Sequence, residues 1–130
     1  MDSDEPPSWD LDWDPELRVL IVRVRGAMTV EASVTVLQEI SAGGAWPAHV
    51  ATVWDVRAAS FPNASGAKLR SLADRRAGFD DRLRARVAMV ADDDLNFGLM
   101  RMFEMLSAHD EGAFCVFRDF DAALRWAAER

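Results

Sequence analysis

The hydrophobic pattern switches period several times along the chain. LRVLIVRVR, residues 17–25, is the clearest apolar run, with Leu17, Val19, Ile21 and Val22 packed inward and Arg23 and Arg25 alternating outward near its end. This predicts a strand, with Gly26 as its stop. Before it, WDLDW at 9–13 alternates apolar and acidic residues, as an edge strand with one buried face does. DPE at 14–16 reads as the turn between them, with Pro15 presetting φ. The two segments predict an N-terminal hairpin.

The period then lengthens. In TVEASVTVLQEISA, residues 29–42, Thr29 is placed to cap a helix, and Val30, Val34, Leu37 and Ser41 share one face with Ile40 at its edge. Gly43 and Gly44 end it. HVATVWDVR at 49–57 shows little alternation, which predicts a strand buried on both faces. Residues 63–77 predict a helix with Leu69, Leu72 and Ala73 inward. RARVAMVA at 84–91 is a strand ended by three aspartates, LNFGLMRMFEMLSA at 95–108 a helix, AFCVFR at 113–118 a strand, and DFDAALRWAAER at 119–130 a closing helix. The expected fold class is α/β, a mixed sheet of about five strands with about four helices, the hairpin first and parallel strands after it. MDSDEPPS at 1–8 reads as a loose tail, leaving 9–130 as one domain.

Composition narrows the function classes. Half of the 130 residues are hydrophobic and the formal net charge is −7. That charge argues against nucleic acid and against adhesion to an anionic membrane. No apolar run reaches transmembrane length, and the acidic start lacks a signal peptide's basic and apolar regions, so membrane insertion is not expected and a cytoplasmic protein is. The lone Cys115 excludes an internal disulfide.

TVWDVRAASFPNASGAKL, residues 52–69, resembles the signature of STAS domains, the sulfate transporter and anti-sigma-factor antagonist family. Those domains carry an apolar strand with an Asp, a Ser-Phe loop, then Asp-Ser-Ser-Gly opening a helix. Asp55, Ser60, Phe61 and Gly66 fall in matching places. ARVAMVADDDLNFGLMRMFEML and the closing VFRDFDAALRWAAER are similar to the small bacterial SpoIIAA-like branch, and the likeness runs from about Val19 onward. The resemblance implies a non-enzymatic regulatory domain that docks a protein partner, a kinase-like anti-sigma factor among the candidates, through Ser60, Asn63, Ser65, Gly66 and Lys68. In phosphorylated members the first Ser of Asp-Ser-Ser-Gly accepts the phosphate. Here the matching residues are Asn63 and Ala64, so the acceptor hydroxyl is missing and the phosphoswitch does not carry over. Ser65 reads instead as a first-turn residue behind an Asn63 cap.

SpoIIAA-like proteins are also similar in fold to CRAL-TRIO lipid carriers, which implies an alternative: binding or carriage of a small apolar molecule. On the helix at 95–108, Leu99, Met102, Phe103 and Leu106 form one face, widened by Met100 and Met105. With Trp46, which stands in a loop before Pro47, Met100, Met102, Phe103 and Met105 are candidates for a ligand wall or a homodimer face. Asp92, Asp93 and Asp94, with Asp55 and Asp119, are expected at neighbouring strand ends, where open α/β sheets place ligands. Helix capping explains them without a metal. His49 and His109 lack metal-ligand spacing and read as surface residues, and Cys115 reads as a buried, inert thiol. No catalytic motif stands out, and neither an enzyme activity nor a cofactor is expected.

Overall fold

The computed structural model describes residues 5–47, 49–62, 64–77, 85–107 and 114–129. Its elements run β1 (Ser8–Asp14), β2 (Val19–Ala27), α1 (Val30–Ala42), β3 (Ala51–Ser60), α2 (Gly66–Ala77), β4 (Val87–Val90), α3 (Asp94–Leu106), β5 (Phe114–Phe117) and α4 (Phe120–Ala128). The sheet order is β1-β2-β3-β4-β5, with β1 antiparallel to β2 and every later pair parallel. This is the mixed α/β sheet that the hydrophobic pattern predicts.

The two sheet faces are covered unequally. One carries Leu20, Val22, Val24, Trp54, Val56, Val87, Met89, Phe114 and Val116, packed under α1, α2 and α3. Each such side chain contributes about 1.5–3 kcal/mol when fully buried. The other carries Val19, Ile21, Val53, Ala88 and Val90 and is covered by α4 through Ala123 and Ala127. Those two methyl groups let the helix lie close on the sheet. Beyond α4's reach this second face is polar: Arg25 meets Asp10 at 2.7 Å and Arg23 meets Asp12 at 3.2 Å across β1 and β2. Trp9, Leu11 and Trp13 turn the opposite way, against the three-helix core, as the alternation of WDLDW requires.

Several boundaries depart from the sequence reading. Gly26 does not stop β2; at φ +81 it lies within the strand, which continues to Ala27. Leu17 is not packed inward but sits in the β1–β2 turn and is exposed, because the Asp14 carboxylate accepts hydrogen bonds from the Glu16 and Leu17 amides and closes the turn there. β3 runs on to Ser60, with a bulge where Arg23 pairs with Asp55 but Arg25 with Ala58. Thr29 caps α1 by accepting from the Ala32 amide, and Gly43 ends it at φ +87, both as expected. The buried face of α1 is Ser33, Val36, Leu37 and Ile40, however, and Val30, Val34 and Ser41 are only half-buried. The helix is seated on the side that holds Ile40 over the sheet, so that residue is core rather than edge.

The buried line of α3 is likewise Asn96, Met100 and Phe103. Leu99 and Leu106 are half-buried, while Leu95, Met102 and Met105 face solvent. Asn96 sets this rotation: its side-chain amide donates to the Ala59 carbonyl at 2.9 Å and pins the start of α3 to β3. Gly98 stands on the outer side of α3, and a Cβ added there would meet no atom within 4 Å. Gly98→Ala is therefore expected to stabilise the fold by about 0.5–1 kcal/mol through helix propensity. A higher denaturant midpoint at unchanged slope would verify this.

Candidate functional site

Between the three-helix face of the sheet and α1, α2 and α3, the side chains leave a cavity of about 520 Å³. Small-molecule sites span roughly 300–1,000 Å³. Val24, Trp54, Val56, Val87, Met89 and Phe114 of the sheet form its floor. Met28 and Leu37 close one flank, Leu69 and Leu72 of α2 another, and Met100 and Phe103 of α3 a third. Phe103 and Phe114 meet edge to face at 5.4 Å, which fixes both rings in the wall. The exposed lining residues Thr29, Glu31, Pro62, Ala67, Lys68, Ser71 and Arg75 mark its rim. Arg76 is buried, with its guanidinium 5.8 Å above the Phe114 ring.

The start of α2 joins this rim. The Ser65 hydroxyl accepts from the Lys68 amide at 3.2 Å, the bond an N-cap makes. The helix begins at Gly66, later than the sequence pattern predicts, so capping falls to Ser65 rather than leaving it in the first turn. Asn63, the cap expected from sequence, lies outside the described residues. Ala64 and Lys68 line the cavity, whereas Ser60 ends β3, its carbonyl accepting from the Met28 amide. Ser65, Gly66 and Lys68 are exposed in succession.

The structure divides the other sequence candidates. Met100 and Phe103 reach the cavity wall; Met102 and Met105 face outward, 43% and 72% exposed. Trp46 does not line the cavity. Its indole N–H donates to the Ile40 carbonyl at 3.1 Å and its ring lies against Gly44, closing the end of α1. Trp54, Val56 and Ser33 line the cavity without having been named as site candidates, and Leu72, expected inward on α2, lines it as well. Ser33, a polar residue on the buried line of α1, was the available signal.

The acidic residues are engaged elsewhere. Asp93 caps α3 and Asp119 caps α4, each accepting a backbone N–H, and Asp94 meets Arg118 at 2.9 Å. Among the described residues, no three His, Cys, Asp or Glu side chains lie close enough together to hold a metal ion. His49 is exposed and His109 lies outside the described residues. Cys115 is half-buried rather than fully buried; burial, then the charge of Glu104, push its thiol up, so it stays protonated and a weak nucleophile.

Asp55 lies on the polar face and takes both prongs of the Arg57 guanidinium at 2.8 Å. Burial by itself would raise its carboxyl, but hydrogen bonds from Arg57 and the charges of Arg57 and Arg23 outweigh that and leave it below 3.8. A depressed acid stabilises the fold fully above its unfolded value and loses that contribution as pH falls through the folded one. Asp55→Asn should thus cost about 1–2 kcal/mol near neutral pH, with the gap from the parent closing below about pH 3.8. Denaturation curves of both proteins at neutral and acid pH check this.

Among the described residues no helix is long and apolar enough to cross a membrane. No protein-family model matches the chain, and no curated protein matches it. Among solved structures, it is similar to an uncharacterized protein of the DUF3478 family from Shewanella loihica PV-4, described as having a SpoIIAA-like fold. The two superpose with a TM-score of 0.61 over 95% of this chain and 94% of that one, at 18% sequence identity. At that identity the likeness is one of architecture, and it agrees with the resemblance carried by residues 52–69: this chain has a SpoIIAA-like fold.

Proposed function

We propose that this protein is a non-catalytic, cytoplasmic binding domain that holds one small, largely apolar molecule in the cavity between the sheet and its three helices. One observation carries this reading: about 520 Å³ is left open against Trp54, Met89, Met100, Phe103 and Phe114, side chains that are otherwise buried in the core. Apolar walls without an occupant forfeit dispersion contacts, and that loss grows with cavity size. A ligand restores those contacts, so binding and stability are linked.

Titration with the neutral apolar dye Nile red tests the proposal. A saturable fluorescence rise that dodecanol reverses is the expected result. Dye that binds without saturation, or that dodecanol does not displace, rejects it.

The exposed succession of Ser65, Gly66 and Lys68 supports a second reading, docking of a regulatory protein partner at the start of α2. No atom lies within 4 Å of where a Gly66 Cβ would stand, so a partner can approach the backbone there. In this reading Ser60 borders the same surface, and the missing hydroxyl at Ala64 leaves docking free of the phosphoswitch. Ser65→Asp should weaken any complex cross-linked at this surface; an unchanged complex removes the reading.

A further inference from the structure

The cavity carries a charge opposite in sign to that of the chain. The whole protein has a formal net charge of −7. Among the described lining residues, however, the charged groups are Lys68, Arg75 and Arg76 against the carboxylate of Glu31. Lys68, Leu72 and Arg75 follow one another at i, i+4 and i+7, so they form one stripe along α2. The two cations therefore border the apolar wall that Leu72 helps to build. They stand roughly 10 Å apart along the helix axis, a gap that two long side chains span. Arg76 lies deeper, buried against Phe114.

Helix electrostatics account for only part of this arrangement. Arg75 and Arg76 occupy the last turn of α2, where a helix favours cations. Lys68 occupies the first turns, where the dipole disfavours one. α1, α3 and α4 each carry an acid in the first turn, namely Glu31, Asp94 and Asp121, and α2 carries none. Among the described residues, neither the Lys68 ammonium nor the Arg75 guanidinium has an ion-pair partner. Among the described residues, two cations thus border an apolar cavity with no ion pair to compensate their charge.

We infer that the ligand is an amphiphile with an anionic head, its apolar body inside the cavity and its head at the rim between Lys68 and Arg75. This rests on the cavity being the binding site proposed above. Glu31, on the α1 part of the rim, disfavours an anionic head beside it, which directs the head toward the cations of α2. Both carboxylate and phosphate heads satisfy this chemistry.

Competition of dodecanoate, dodecyl phosphate and dodecanol against Nile red separates the outcomes, because the three share one chain and differ in the head. At neutral pH and low salt, at least one of the two anions should bind about tenfold more tightly than dodecanol, and rising salt should shrink that preference. Lys68→Gln with Arg75→Gln should reduce the preference to about threefold or less. Glu31→Gln should increase it. Dodecanol binding as tightly as both anions overturns this inference and leaves the apolar site standing. An anion preference indifferent to both salt and the double substitution also overturns it. Failure of all three compounds to displace the dye overturns both proposals together.

Discussion

Ser33→Leu is expected to weaken Nile red binding at least about tenfold while making the protein more stable. Ser33 is a buried position on α1, 8% exposed, and its side chain lines the cavity one turn from Leu37. Its backbone amide donates to the Thr29 carbonyl, a bond that the substitution leaves intact. Leucine extends apolar volume into the open space, where each buried methylene contributes about 0.8 kcal/mol. Leucine also forms helix slightly better than serine. The sum is about 1–2 kcal/mol of added stability, or a rise in Tm of roughly 3–8 °C. The same volume is then denied to a ligand. Dye titration and thermal unfolding of the one variant report both effects. A destabilised Ser33→Leu would show that the space is not there to be filled. A stabilised variant with unchanged dye affinity would place the dye elsewhere and remove the cavity reading.

Gly26→Ala should cost roughly 2–4 kcal/mol, a larger loss than its single methyl group indicates. Gly26 holds φ +81, a conformation that L side chains rarely adopt. A Cβ built there would stand 2.4 Å from the Pro6 carbonyl oxygen and 3.0 Å from that of Glu5. Both contacts are backbone, so no side-chain rotation relieves them. The neighbouring Ala27 amide donates to the Glu5 carbonyl at 2.9 Å, and displacing the N-terminal segment would break this bond as well. Urea unfolding at neutral pH measures the loss. A change under about 0.5 kcal/mol, within the range of an ordinary surface substitution, would mean that residues 5–7 are not seated on β2.

Backbone architecture was largely legible before the structure, and side-chain placement was not. Alternation in WDLDW and the unbroken apolar run in VATVWDV were enough to place an edge strand and a central one, because strand period depends on local backbone geometry alone. Thr29 and Gly43 marked the ends of α1 for the same reason: a cap satisfies backbone groups within a few residues of itself. Gly26 misled because glycine stops some strands and lets others pass close to another backbone. Only the approach of Pro6, far away in sequence, decides which. On α3 the apolar residues surround most of the helix, so the face of Leu99, Met102, Phe103 and Leu106 read from periodicity was not the buried one. The hydrogen bond from Asn96 to Ala59 chose it, sending Met100 and Phe103 into the cavity and Met102 and Met105 into solvent.

The sequence by itself determined the α/β element order, the hairpin followed by parallel strands, the resemblance to SpoIIAA-like domains and the absence of an acceptor hydroxyl at Ala64. Those properties are encoded in neighbouring residues and in short motifs. Tertiary structure alone decided that Trp46 clasps the end of α1 while Trp54 floors a cavity, and that Lys68, Arg75 and Arg76 gather on the wall of an acidic protein. A cavity is the space that elements distant in sequence leave when they pack, and no local pattern records where that packing stops.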